Sequence, residues 1–341
     1  MNETKNNPWL ILVTSCLFVM VAWSFARMTG VEDYIKQVKL GTNRAFVFVS
    51  DTTAAPLSST NDQAWLDKIT AEADKKRIPA IDAKVDRVWK AIPGYNGLEV
   101  DIQKTFELSK HANLDQPIHF VYKEIKPKIE LRDLGANPIY KGNPQKPMIS
   151  LLINVAWGDE FIPTILQVLN NENVHATFFF DGSWLSKHLD TAALIGKAGH
   201  ELSNHAYSHK NMSQLSRERA TSEIVKTQQL LETNLGIKNT LFAPPSGDFD
   251  EETVQIAHQL QLKTILWSID TLDWTKPSPA TVIQRVTKGL EPGSMILMHP
   301  TAASSLALEA IIKDAKRKGL VVGTVSELLS SDRVKTVQEI H

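Results

Sequence analysis

Residues 147–335 alternate short apolar runs with amphipathic stretches, and this alternation restricts the fold more than any other feature of the chain. Strands are expected at Met148–Val155, Ala176–Phe180, Glu201–His205, Thr240–Ala243, Lys263–Ser268, Ser294–Met298 and Leu320–Thr324. Helices are expected between them, among them Glu160–Asn171, Ser213–Leu235, Pro279–Leu290 and Leu306–Lys318. Strands alternating with helices imply an α/β fold with a parallel sheet and right-handed crossovers. Seven strands suit a distorted (β/α) barrel better than an open nucleotide-binding sheet, and neither a GxGxxG nor a P-loop pattern is present.

The preceding residues read differently. Gly135, Pro138, Gly142, Pro144 and Pro147 mark a connector over 133–146. Before it, 62–132 is expected to form a small α/β domain without a catalytic signature. Trp65, Ile69 and Ala73 recur at helical spacing, as do Ile81, Val85, Val88 and Trp89, with the second helix ended by Ala91-Ile92-Pro93-Gly94. Leu98–Ile102 alternates like a strand, and His119–Tyr122 is a further strand candidate. Residues 31–61 contain one short apolar run, Ala45–Val49, and then a Ser-, Thr- and Ala-rich stretch that reads as a linker.

From Trp9 to Ala26 the chain has 18 consecutive uncharged residues, flanked by Lys5 and Arg27. About 20 apolar residues span a bilayer, so residues 1–30 suit an uncleaved anchor with interfacial Trp9 and Trp23. Ser24-Phe25-Ala26 equally suits a signal cleaved after Ala26, and Val13-Thr14-Ser15-Cys16 looks like a lipobox. All three readings place the body outside the cytoplasm, membrane-anchored or secreted. Cys16 is the one cysteine, which excludes an intramolecular disulfide and a cysteine-rich metal cluster. Net charge is −1, so nothing draws the whole chain to nucleic acid, and no nucleic-acid partner is expected.

The chemistry-bearing residues begin with histidines. His188, His200, His205 and His209 fall within 22 residues. Gly199-His200-Glu201-Leu202-Ser203-Asn204-His205 is not a zinc-protease helix, because HExxH would need histidine where Asn204 stands. His205 and His209 remain as an HxxxH pair at a strand end, a spacing at which two imidazoles can converge on one ion.

Several motifs then arrive in a familiar order. Residues 147 to about 330 resemble the polysaccharide deacetylase family with the NodB homology domain (carbohydrate esterase family 4). Gly199-His200-Glu201-Leu202-Ser203-Asn204-His205-Ala206-Tyr207-Ser208-His209 resembles its second motif almost throughout. Ala176-Thr177-Phe178-Phe179-Phe180-Asp181-Gly182 resembles its "ATFF" strand, Phe242-Ala243-Pro244-Pro245-Ser246-Gly247 its "FRPPYG" motif, Asp270-Thr271-Leu272-Asp273-Trp274 its "DxxDW" motif and Leu297-Met298-His299 its final "LxH". The whole chain looks most like membrane-anchored deacetylases of Bacillus-type spore formers.

The resemblance implies a NodB-type distorted barrel with its site at the C-terminal strand ends. It implies removal of N-acetyl groups from GlcNAc units of cell-wall glycan such as peptidoglycan, by metal-assisted amide hydrolysis. In such enzymes an Asp and two His hold a divalent metal, most often zinc, and a second Asp is the general base. Carried onto this chain, His205 and His209 are the metal ligands and His299 the acid that protonates the leaving amine. Asp273 belongs to the same catalytic group, and Trp274, Pro244, Pro245 and Gly247 are expected to bind substrate.

The first motif departs from this pattern. The family's "TFDDG" matches Asn154-Val155-Ala156-Trp157-Gly158, so Ala156 stands at the base and Trp157 at the metal carboxylate. Ala243 replaces the arginine that tunes the base, Ser246 replaces the tyrosine, and Pro300 replaces the Asp after the last His. These changes are coherent: a buried arginine deprived of its aspartate would be left unpaired, at a cost of several kcal/mol. Loss of a general base costs on the order of 10²–10⁴ in rate. Asp159, followed by Glu160 and Asp181, is the nearest carboxylate able to replace it. Three readings stay open: a hydrolase with weak or lost activity, an inactive glycan-binding or scaffold pseudoenzyme of the same fold, and a purely structural remnant with the function residing in residues 62–132.

Overall fold

The computed structural model describes residues 60–334. The expected anchor or signal and nearly all of the 31–61 linker lie outside them. Among the described residues no helix is long and apolar enough to cross a membrane.

The chain opens with α1 (Thr60–Ala73), which buries Trp65 and Ile69 against Val100 and Phe106. Two antiparallel hairpins and a helix complete this part: β1 (Lys84–Asp86) with β2 (Lys90–Ile92), β3 (Gly97–Val100) with β4 (Tyr122–Ile125), and α2 (Ile102–Ser109) capped by Asp101. The second helix expected from Ile81, Val85, Val88 and Trp89 is therefore a hairpin. Val85 and Val88 are 54% and 65% exposed, so their spacing never marked a buried face. The Asp86 carboxylate accepts the amides of Val88 and Trp89, and Lys90 takes φ 57°, which closes a turn and excludes helix. The strand expected at His119–Tyr122 begins only at Tyr122.

The rest is built on β5 (Met148–Val155), whose eight side chains are all buried. A parallel strand covered on both faces reads as an unbroken apolar run, which is how this one reads. Chain order then runs α3 (Ile162–Asn171), β6 (Thr177–Phe180), α4 (Gly182–Leu185), α5 (Leu189–Lys197), β7 (Glu201–Asn204), α6 (Arg217–Leu235) and β8 (Leu241–Phe242). It continues through α7 (Glu251–Gln259), β9 (Lys263–Thr264), β10 (Ile269–Asp270), α8 (Pro279–Gly289), β11 (Met295–Met298), α9 (Ala302–Arg317), β12 (Val321–Gly323) and α10 (Val325–Leu329).

Eight strands form one parallel sheet in the order β10-β11-β5-β6-β7-β8-β9, with β12 also on β5. The sheet curls into a half-barrel, one strand richer than the expected seven because Ile269–Asp270 also pairs. Alternation along the strands separates two layers. Leu151, Ile153, Phe178 and Phe180 meet the outer helices, while Leu152, Phe179, Ala243 and Ile265 meet Val325 and Leu328 of α10 inside.

The connector runs along the β9 edge of this sheet. The Ile139 amide donates to the Thr264 carbonyl, Leu266 donates to Ile139, and Ala91 of β2 donates to Pro138. Ile139 thus covers a strand edge that would otherwise present unpaired backbone groups.

Candidate active site

His205 directly follows β7, and its ring is 1% exposed. Its Nδ1 lies 2.7 Å from the Ala243 carbonyl oxygen, so Nδ1 carries the proton and Nε2 keeps its lone pair. Burial, reinforced by the charges of His209 and His299, pushes the imidazole down to about 3, which leaves it neutral at pH 7. The His209 ring stands edge-on to it with centroids 5.2 Å apart.

The loop that presents this pair is strained and firmly held. Ala206 and His209 take φ 58° and 51°, unusual for residues with a Cβ. The Glu223 carboxylate, on α6, accepts the amides of Tyr207 and Ser208 and the Ser208 hydroxyl. Thr227 donates to the Ala206 carbonyl, and the amides of Gly182 and Ser183 donate to Ala206 and Tyr207. Glu223 and Thr227 carried no sequence signal beyond their place on a helix.

His299 follows β11. Its Nδ1 is 2.8 Å from Asp273 Oδ1, and its amide donates to Asp273 Oδ2 at 2.6 Å. Ser304 adds a short hydrogen bond to the same oxygen. Burial alone would raise the fully buried Asp273 carboxyl, but the His299 hydrogen bonds and charge, with Ser304, hold it below the usual carboxylate range. Asp273 therefore orients the ring and leaves Nε2 toward the cleft.

At the end of β5 the departures of the first motif take physical form. Trp157 is 45% exposed and lies flat on the His299 ring, with centroids 5.8 Å apart and planes 8° from parallel. Gly158 takes φ +80°, and a Cβ there would sit 2.0 Å from the Pro300 carbonyl oxygen, so the two substituted loops touch. Trp157, His209, Ser246, Trp274 and His299 line a pocket of about 390 Å³. Its wall also holds Trp267, Asp270 and Asn154, whose buried Oδ1 has no hydrogen-bond partner.

Other expected residues stand elsewhere. Asp159 does not line the pocket: one oxygen is 3.4 Å from Trp184 Nε1 and the other 4.0 Å from His188 Nε2. Asp181 caps α4 through the Trp184 amide. Pro244, Pro245 and Gly247 form the turn behind Ser246, and Gly247 packs against Trp267. Ala243 is buried in the inner layer with no polar side chain to offer.

These residues do not fit a fully held divalent ion. His205 and His209 offer two imidazoles, Trp157 offers an indole and no carboxylate, and among the described residues no three His, Cys, Asp or Glu are grouped to share a metal.

Comparison with known proteins gives a consistent picture. A family model described as polysaccharide deacetylase matches residues 141–265. The uncharacterized protein YlxY of Bacillus subtilis is 41% identical over 268 residues, 79% of this chain and 84% of its own length. A peptidoglycan-N-acetylglucosamine deacetylase of Bacillus cereus is 31% identical over 199 residues, 57% of this chain and 72% of its own. The crystal structure of BA3943, a CE4 family pseudoenzyme from Bacillus anthracis, is 40% identical with a TM-score of 0.72, covering 79% of this chain and 96% of that one. A mutant of that pseudoenzyme, described as having restored enzymatic activity, matches with the same TM-score at 39% identity over 79% of this chain and 99% of its own.

Proposed function

Because the chain belongs to the polysaccharide deacetylase family, we propose that it recognises N-acetylated cell-wall glycan such as peptidoglycan in a cleft whose hydrolytic centre has been dismantled. One observation carries this reading: Trp157, at the place of the metal carboxylate, lies flat on His299, at the place of the acid. Ala156 stands at the base position, and the one carboxylate among the residues lining the pocket is Asp270, which lies outside the first motif. What remains is a concave site with three indoles (Trp157, Trp267 and Trp274) and a few polar groups, a lining suited to the apolar face of a sugar. The unpartnered Asn154 Oδ1 is an acceptor for a ligand N–H or hydroxyl. The apolar Trp9–Ala26 run supports an extracytoplasmic site of action, anchored or secreted.

A second reading, residual hydrolysis, is favoured by the intact Asp273–His299 pair. Calorimetric titration of the full chain with an N-acetylated chito-oligomer, with acetate assayed in parallel and zinc supplied, separates the two. The reading stands if the oligomer binds without acetate release and Trp274→Ala weakens binding about tenfold, equivalent to roughly 1.4 kcal/mol. It falls if nothing binds, or if acetate is released in a reaction that His205→Ala abolishes.

A further inference from the structure

At the end of the sheet away from Trp157, two cavities meet across one pair of cations. The larger, about 320 Å³, lies between the connector and α7, and the smaller, about 280 Å³, between the connector and α10. Leu131, Arg132 and Lys263 border both. Each is near the lower limit of roughly 300 Å³ for small-molecule sites, and together they fall well within that range.

The charge around this double cavity is one-sided. Arg132 and Lys263 face both lobes and His258 lines the larger, whereas Glu130 is the one carboxylate among the lining residues. Glu130, which also accepts the Asp133 amide, meets the Arg132 guanidinium through Nε alone, at 3.0 Å, and the terminal guanidinium nitrogens have no protein partner among the described residues. The Lys263 ammonium and the His258 ring have no such partner either among those residues. In the wall of the larger lobe Thr264 is 2% exposed, yet its hydroxyl makes no hydrogen bond. A buried hydroxyl left unpaired costs free energy, and among the residues lining this lobe Thr264 is the one that bears such a group. Ile139, Val254 and Leu262 give the same lobe an apolar side.

We propose that this double cavity is a binding site for a phosphorylated organic molecule, separate from the glycan cleft. The phosphate sits between Arg132 and Lys263, with His258 and Thr264 in the wall of its lobe, and the carbon body lies against Ile139 and Leu262. Two cationic side chains bordering the same cavities, Arg132 and Lys263, match a dianionic phosphate better than a single carboxylate charge, and a guanidinium fork fits phosphate oxygens two at a time.

The test titrates the full chain with phenyl phosphate, benzoate, inorganic phosphate and phenol. Phenyl phosphate binds, more tightly than benzoate and inorganic phosphate, and phenol does not. Lys263→Ala and Arg132→Ala each weaken phenyl phosphate at least tenfold while the melting temperature holds, because both side chains project into solvent. Equal binding of phenol and phenyl phosphate, or no effect of either substitution, overturns the site. Benzoate binding as tightly as phenyl phosphate overturns the phosphate assignment, and inorganic phosphate doing so overturns the organic one.

Discussion

Asp273 grips His299 at two points, through the ring Nδ1 at 2.8 Å and the backbone amide at 2.6 Å. A fully buried carboxylate with three donors is not there for packing. It fixes the orientation of an imidazole whose flat face is covered by Trp157. Asp273→Asn turns one acceptor oxygen into a donor facing His299 or Ser304, which should cost about 1–3 kcal/mol of stability. Because its pKa is depressed in the folded state, Asp273 contributes stability above the unfolded value of about 3.9. That contribution is lost as pH falls through the lower folded value. Chemical denaturation against pH should show an acid-side loss that shrinks in Asp273→Asn; an identical profile for both proteins would rule out this role.

Glu223 holds the loop that carries His205 and His209. Glu223→Ala leaves the amides of Tyr207 and Ser208 without their acceptor, at about 1–3 kcal/mol for each group that stays buried. The melting temperature should fall by several degrees and binding of N-acetylated oligomer should weaken with it. Unchanged values in both would show that the strained loop supports itself.

Gly158→Ala tests the contact between the two substituted loops. The added Cβ would meet the Pro300 carbonyl at 2.0 Å in a left-handed backbone, so the loops must separate. Destabilisation of at least 2 kcal/mol is expected from strain and overpacking together. A thermal melt superimposable on that of the native protein would mean that the contact is loose.

His200, under the sheet, should shape the acid limb of stability. Burial first, then the neighbouring His175 charge, pushes its ring down to about 4. Between the unfolded value of about 6.5 and pH 4 the unfolded chain takes a proton that the folded one refuses, so stability falls over that window by on the order of 3 kcal/mol. His200→Phe should flatten the profile between those pH values. If the slope is unaltered, another group is responsible for it.

The parallel half-barrel was readable because its central strands are buried on both faces, so Met148–Val155 and Phe178-Phe179-Phe180 appear as unbroken apolar runs. His205 and His209 were readable because the strand end and the motif around it are local. The hairpin at Lys84–Ile92 was not, since its apolar residues are exposed and its turn depends on Asp86 and on a left-handed Lys90. Glu223 and Asn154 were invisible for another reason: each acts across the fold, on a loop or cleft distant in sequence. The stacking of Trp157 on His299 joins residues 142 positions apart in the chain, and only the tertiary fold brings them together.

Acetate release from an N-acetylated chito-oligomer, compared between the native chain and the Ala156→Asp, Trp157→Asp, Ala243→Arg triple variant, decides whether the hydrolytic centre has been dismantled. The Ala156→Asp, Trp157→Asp pair serves as a second variant, since Ala243 is buried. The native chain should release none above the blank. With zinc present, the restored base and carboxylate should raise the rate by at least the 10²–10⁴ typical of a general base. Native turnover that depends on His205 and matches the variants would show that the centre still works as it stands.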